Sequence, residues 1–173
     1  KTKESFFGYE KVIVFDNYWI GDSSIISIQN PITIELIAHD TIELIKHFNI
    51  KIFDLFGESL EGQIALCITS IIPLDLIQKK LIIITSSPHT KEETNFYQKK
   101  IKYLLKHSDK LDKIPKAKFE LQIKKPFEIL KSIKIPTLII YNEEDDIFPI
   151  QDITLLNEKN YNTEIYKFSN ARH

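Results

Sequence analysis

The sequence has little glycine, a single cysteine, no methionine and no long apolar run. Only 4 of its 173 residues are glycine, about 2% where ~7% is usual. One cysteine, Cys67, excludes an internal disulfide and favours a reducing compartment. Apolar stretches such as residues 81–84 and 138–141 are far shorter than the ~20 residues of a membrane helix. With no visible secretory signal, these absences predict a cytoplasmic protein without a membrane span.

The charge is balanced, and this argues against a nucleic-acid partner. The chain carries 23 basic and 24 acidic residues, with a formal net charge of −1. It therefore lacks the overall positive field that attracts phosphate backbones, and we predict no nucleic-acid binding. Its length and its 43% hydrophobic content fit one globular domain over residues 1–173. No methionine is present, even at position 1, so we expect either that the initiator has been removed or that the chain is an internal piece of a longer polypeptide.

The apolar pattern alternates between the periods of strands and helices, which predicts an α/β fold. The predicted strands are residues 11–17, 51–56, 80–86, 137–141 and 164–168. The predicted helices are residues 33–48, 59–71, 92–107, 127–133 and 153–158. Strands separated by helices form a mostly parallel sheet with helices on both faces. Residues 88–125 interrupt the alternation, so we expect a short, partly helical excursion over the carboxyl edge of the sheet.

The most informative segment places a serine between a predicted strand and a predicted helix. The strand leads into Gly57, Glu58 intervenes, and Ser59 stands at the start of the helix. This segment resembles the nucleophile elbow, G-x-S-x-G, of the α/β-hydrolase family. The resemblance departs at Glu61, which occupies the place of the second glycine; Gly62 follows one residue late.

A phosphate-binding loop and a simple helix cap are alternatives for the same segment. Residues 57–62 also spell G-x-x-x-x-G, but Gln63 and Ile64 follow where a phosphate-binding loop needs Lys and Ser or Thr. The sequence contains no G-x-G-x-x-G, so it gives no support to a dinucleotide site. An ordinary turn in which Ser59 merely caps the helix fits the segment at least as well as a nucleophile does. Whether Ser59 is a nucleophile or only a helix cap depends on motifs in the rest of the chain.

Two later segments resemble the remaining catalytic motifs of the α/β-hydrolase family, in the family's order. Residues 135–149 are similar to the family's late strand and acid loop, which implies Asp145 as the acid, with Asp146 the neighbour to exclude. Residues 168–173 are similar to the family's Asn-Ala-Gly-His ending, which implies His173 as the base. Upstream, residues 8–24 resemble the family's strand and its D-x-x-G-x-G-x-S loop.

The resemblance implies a serine hydrolase that acts on a small-molecule ester or similar acyl substrate. Ser59 would be the nucleophile, His173 the base and Asp145 its partner, with the backbone N–H of Leu60 as one oxyanion donor. This chemistry needs no metal and no cofactor, and the sequence shows no motif for either. The family's second oxyanion donor follows an earlier strand that ends in His-Gly; this sequence has no His-Gly pair, and we expect it to lack that strand. Without that donor, catalysis would be ~10²–10³-fold weaker.

A different class of function is also consistent with the sequence. Four positions where the family's motifs commonly have glycine carry other residues, namely Trp19, Glu61, Asn142 and Arg172. This pattern is expected where selection on the elbow has relaxed. The alternative is therefore a catalytically weak or inactive scaffold that keeps the hydrolase fold for interaction with a partner.

Overall fold

The structure is a computed structural model in which residues 11–17, 23, 32–84, 119–120, 129, 132–144 and 162–169 are described. These residues form two helices and six strands. In chain order the elements are β1 (Ile32–Thr33), α1 (Ile34–His47), β2 (Ile52–Glu58), α2 (Leu60–Ile71), β3 (Ile77–Ile84), β4 (Phe119–Glu120), β5 (Thr137–Asn142) and β6 (Thr163–Phe168).

A four-stranded sheet in the order β2-β3-β5-β6 organises the described part of the chain. All three pairings in this sheet are parallel. One of its two inner strands, β5, has the apolar residues Leu138–Tyr141 between Thr137 and Asn142 and alternates between buried and half-buried residues. The two-residue strands β1 and β4 pair separately, also in parallel. A parallel sheet flanked by helices confirms the predicted α/β fold class.

Helix α1 follows the sequence prediction closely. The hydroxyl of Thr33 accepts a hydrogen bond from the Leu36 backbone N–H at 3.1 Å and so caps the helix. The buried face is formed by residues spaced three and four apart, as a helical period requires: Ile34, Ile37, Ala38, Thr41 and Ile42. The helix ends at His47, and Phe48 beyond it is half-exposed rather than part of the core.

Helix α2 is buried on most of its surface because it packs against both the sheet and α1. Every residue from Gly62 to Ile68 is buried, including the side chain of Gln63. On the sheet, Leu81, Ile83 and Ile139 complete this core. The elbow that joins β2 to α2 is therefore followed by a helix that is buried in the core.

The predicted strand at residues 11–17 is not formed. Val14 and Phe15 are exposed, and no strand pairs with this segment among the described residues. A cavity of about 440 Å³ lies between residues 11–15 and β2. The β-branched composition of the segment favours a strand, but a strand forms only where a neighbour completes its hydrogen bonds.

Some sequence predictions fall on parts of the chain that are not described. The predicted helices at residues 92–107 and 153–158, and most of the one at residues 127–133, lie outside the described residues. The same holds for the excursion at residues 88–125, apart from β4. Within the described ranges, no helix combines the length and the apolar character needed to cross a bilayer.

Candidate active site

Ser59 occupies a sharp turn between the end of β2 and the first residue of α2. Its backbone has φ 55° and ψ −121°, the conformation of the first central residue of a type II′ turn. Glycine normally takes this position because a Cβ atom is disfavoured there. Among the described residues, Asn49 is the only other non-glycine residue with positive φ. A serine held in this conformation stores strain, which occurs mainly where function requires it.

The side chain of Ser59 does not cap helix α2. It makes no capping hydrogen bond to the helix, and its backbone is not in the extended conformation of an N-cap residue. Thr33, at the start of α1, has an extended backbone and does make a capping hydrogen bond. The structure therefore offers no support for an ordinary capping role at Ser59, which the sequence alone left open.

Backbone contacts fix the elbow at the carboxyl edge of the sheet. The Ser59 N–H donates to the Ile84 carbonyl at 2.9 Å, and the Gly62 N–H donates to the Ser59 carbonyl at 3.1 Å. The first bond ties the turn to the last residue of β3. Leu60 is the first residue of α2, so its N–H belongs to the helix turn that has no intrahelical acceptors. Its assignment as an oxyanion donor stays a prediction.

Gly57 allows the first turn of α2 to pass directly over the end of β2. A Cβ atom at this position would lie 2.5 Å from the carbonyl carbon of Glu61 and 2.7 Å from the nitrogen of Gly62, and would also meet the Glu61 carbonyl oxygen. All three are backbone atoms, so no side-chain movement relieves the overlap. The first glycine of the predicted elbow is thus required by packing.

Glu61 stands in the place of the motif's second glycine and lies in the first turn of helix α2. Its side chain does not prevent Ser59 from adopting the sharp turn between β2 and α2. Its side chain keeps an exposed surface, yet partial desolvation of the carboxyl raises its pKa, and the charge of Glu58 adds to the rise. Both glutamates line the cavity beside β2, whereas Ser59 is not among the described residues that line it. An acidic side chain therefore stands close to the turn at a position where the motif has none.

Glu61→Gln is expected to stabilise the fold at neutral pH and to have no such effect in acid. Since the folded-state pKa of Glu61 lies above its ordinary value of 4.5, the folded protein binds this proton more tightly than the unfolded chain does. Stability is therefore lost as pH rises through the raised pKa. Melting temperatures of both proteins at about pH 4 and about pH 8 test this. A difference that is equal at both pH values would contradict it.

The predicted acid and base, Asp145 and His173, lie outside the described residues, as does Asp146. The strands that precede them are described. Strands β5 and β6 end together, with Asn142 opposite Phe168. Because the strands are parallel, these ends lie at the same sheet edge as the Ser59 turn. The three predicted residues thus follow strands that end at one edge, and their assignment as a triad stays a prediction.

Sequence reasoning missed one group at this edge, the carboxylate of Glu143. This residue follows β5 and contacts two residues of the β6 end, Lys167 and Ser169. The acidic run at residues 143–146 was visible in the sequence, but the partners of Glu143 depend on strand register. Within the described residues no three His, Cys, Asp or Glu side chains converge as metal ligands would. The absence of a metal or cofactor requirement stays a prediction.

Comparison with solved structures decides the fold. An α/β-hydrolase enzyme from a Medee basin deep-sea metagenome library superimposes with a TM-score of 0.69 at 21% sequence identity, over 91% of this chain and 70% of that one. The chain has the α/β-hydrolase fold. A monoacylglycerol lipase from Paleococcus ferrophilus is also similar, with a TM-score of 0.58, 15% identity and coverage of 83% of this chain and 68% of that chain.

The chain is shorter than the α/β-hydrolase structures it resembles. It spans 61% of an α/β-hydrolase enzyme from Mar Chica lagoon sediments, with a TM-score of 0.54 and 22% identity over 82% of this chain. No protein-family model and no curated protein matches the sequence. The similar solved structures thus establish the α/β-hydrolase fold of this chain.

Proposed function

We propose that this chain carries a serine hydrolase site that cleaves an ester-like acyl bond, with Ser59 as the nucleophile. The observation that carries the proposal is the backbone of Ser59, which has φ 55° directly between a parallel strand and a helix. Strain of this kind, ~1–3 kcal/mol, persists only where the surroundings impose it. The turn orients the serine away from a capping role, and the helix N-terminus favours negative charge beside it.

In the proposed reaction, His173 removes the hydroxyl proton of Ser59 as its oxygen attacks the carbonyl carbon. Asp145 orients the imidazole and stabilises its charged form. The Leu60 N–H donates to the oxyanion of the tetrahedral intermediate. The proton on His173 then passes to the leaving alcohol, which leaves an acyl group on Ser59. Water, deprotonated by the same imidazole, releases the acid and restores the serine.

The similar structures support hydrolysis of small acyl substrates. They include a monoacylglycerol lipase and several proteins described as hydrolases. We propose that residues 88–125, which the sequence sets apart from the alternating pattern, form the cap over the site. Ser59 does not line the cavity beside β2, so that cavity is not part of the proposed substrate site.

A fluorophosphonate probe tests the proposed function directly. We expect the complete gene product to be labelled on Ser59, because the probe forms a covalent adduct only with an activated serine. Ser59→Ala should abolish labelling, while the matched control Ser70→Ala, on the exposed end of the same helix, should leave it unchanged. Intact mass and peptide mapping give the adduct and its position.

The outcome also separates the two classes of function. Labelling that persists in Ser59→Ala would reject Ser59 as the nucleophile. A folded wild-type protein that resists the probe would instead favour the inactive scaffold, in which the elbow has been kept without its chemistry.

A further inference from the structure

The carboxylate of Glu143 joins the carboxyl ends of the two strands that precede the proposed acid and base. One oxygen, Oε1, accepts a hydrogen bond from Lys167 Nζ at 3.0 Å. The other, Oε2, accepts one from Ser169 Oγ at 3.2 Å. The Glu143 N–H donates to the Phe168 carbonyl at 2.9 Å. A single residue after β5 therefore contacts the last two residues of β6 and the residue that follows them.

The contacts of Glu143 lie close along the chain to both proposed catalytic residues, Asp145 and His173. Glu143 precedes Asp145 by two residues, and Ser169 precedes His173 by four. A chain advances at most ~3.6 Å per residue, so both proposed catalytic residues lie within about 15 Å of the contacts. The Glu143 contacts are thus the last described links between the two strands before each strand leads into its catalytic segment.

We propose that Glu143 is a positioning residue, whose carboxylate holds the ends of β5 and β6 together and so fixes the segments bearing Asp145 and His173 relative to each other. This inference rests on the proposed function. Glu143 does not touch the reacting atoms in this scheme; it acts through the two strand ends.

The electrostatics of the group suit this role. Hydrogen bonds from Lys167 and Ser169 lower the pKa of Glu143, and the pKa of Lys167 is raised in turn, chiefly by its hydrogen bond to Glu143, with a further contribution from Tyr141. Glu143 is therefore ionised and Lys167 protonated at neutral pH. Both side chains are more than 40% exposed, and exposed ion pairs add little to global stability. We therefore expect an effect on the geometry of the two segments and little effect on the melting temperature.

The rate of fluorophosphonate labelling of Ser59 in the complete gene product tests the inference. Glu143→Ala should lower the rate constant about fivefold, the scale of losing one exposed pair, with a nearly unchanged melting temperature. Glu144→Ala is the matched control, since Glu144 is the exposed acidic neighbour in the same turn. It should label at the wild-type rate.

A charge-reversed pair separates positioning from a general structural effect. The double variant Glu143→Lys with Lys167→Glu restores the ion pair in the opposite sense, and should recover most of the lost rate. Equal rates for Glu143→Ala and wild type, or no recovery in the double variant, would overturn the inference while leaving Ser59 as nucleophile. A wild-type protein that is not labelled at all would overturn the proposed function itself, and the positioning role with it.

Discussion

Gly57→Ala is expected to destabilise the protein by about 3 kcal/mol or more and to slow labelling of Ser59 about a hundredfold. The added methyl group would overlap backbone atoms of Glu61 and Gly62. Because backbone cannot move aside as a side chain can, either the first turn of α2 or the end of β2 must shift. Ser59 lies between them, so a displacement of about 1 Å would misplace its hydroxyl.

Chemical denaturation and labelling kinetics measure the two effects of Gly57→Ala separately. Ser70→Ala, on the same helix but away from the elbow, serves as the control for both. Stability within about 0.5 kcal/mol of wild type, the range of an ordinary surface substitution, would show that the helix does not cross the strand as closely as the structure shows.

Ser59→Gly is expected to make the protein more stable than Ser59→Ala by about 1 kcal/mol, although both variants lose labelling. Glycine adopts the backbone angles of this turn, φ 55° and ψ −121°, without the strain that a Cβ atom causes. At an ordinary position the same comparison has the opposite sign, because glycine has more conformational freedom to lose on folding. The difference in unfolding free energy between Ser59→Gly and Ser59→Ala therefore equals the backbone strain relieved by glycine minus the extra conformational entropy that glycine loses on folding.

The comparison needs only the unfolding free energies of the two inactive variants. For a chain of this length, about 1 kcal/mol corresponds to a shift of about 2–4 °C in the melting temperature. A Ser59→Gly variant that is less stable than Ser59→Ala would mean that residue 59 does not adopt the strained turn in solution. The proposal that Ser59 is a nucleophile would then lose its main structural support.

Most of the described fold could be predicted from local pattern. The helical spacing of apolar residues predicted α1 to within one residue at each end. The predicted strand at residues 137–141 was confirmed with one further residue. The segment alone left an ordinary cap and an elbow open at Ser59; the elbow was predicted from its resemblance to a family motif, and Ser59 adopts a sharp turn without a capping hydrogen bond.

What the sequence did not predict depends on contacts between distant segments. Strand β3 begins at Ile77, three residues before the predicted start, because its polar Gln78 is accommodated by a hydrogen bond from Thr69 on α2 at 3.1 Å. The segment at residues 11–17 has strand composition without a described partner strand. The contacts of Glu143 require the register that places Asn142 opposite Phe168, and no local pattern fixes that register.

An experimental structure of the phosphonylated complete gene product tests the proposed active site most directly. We predict a covalent bond between phosphorus and the Ser59 oxygen. We further predict His173 within about 3.2 Å of that oxygen or its leaving-group position, and Asp145 at hydrogen-bond distance from the other imidazole nitrogen. An adduct on another residue, or His173 and Asp145 at a different edge of the sheet from Ser59, would contradict the proposed site.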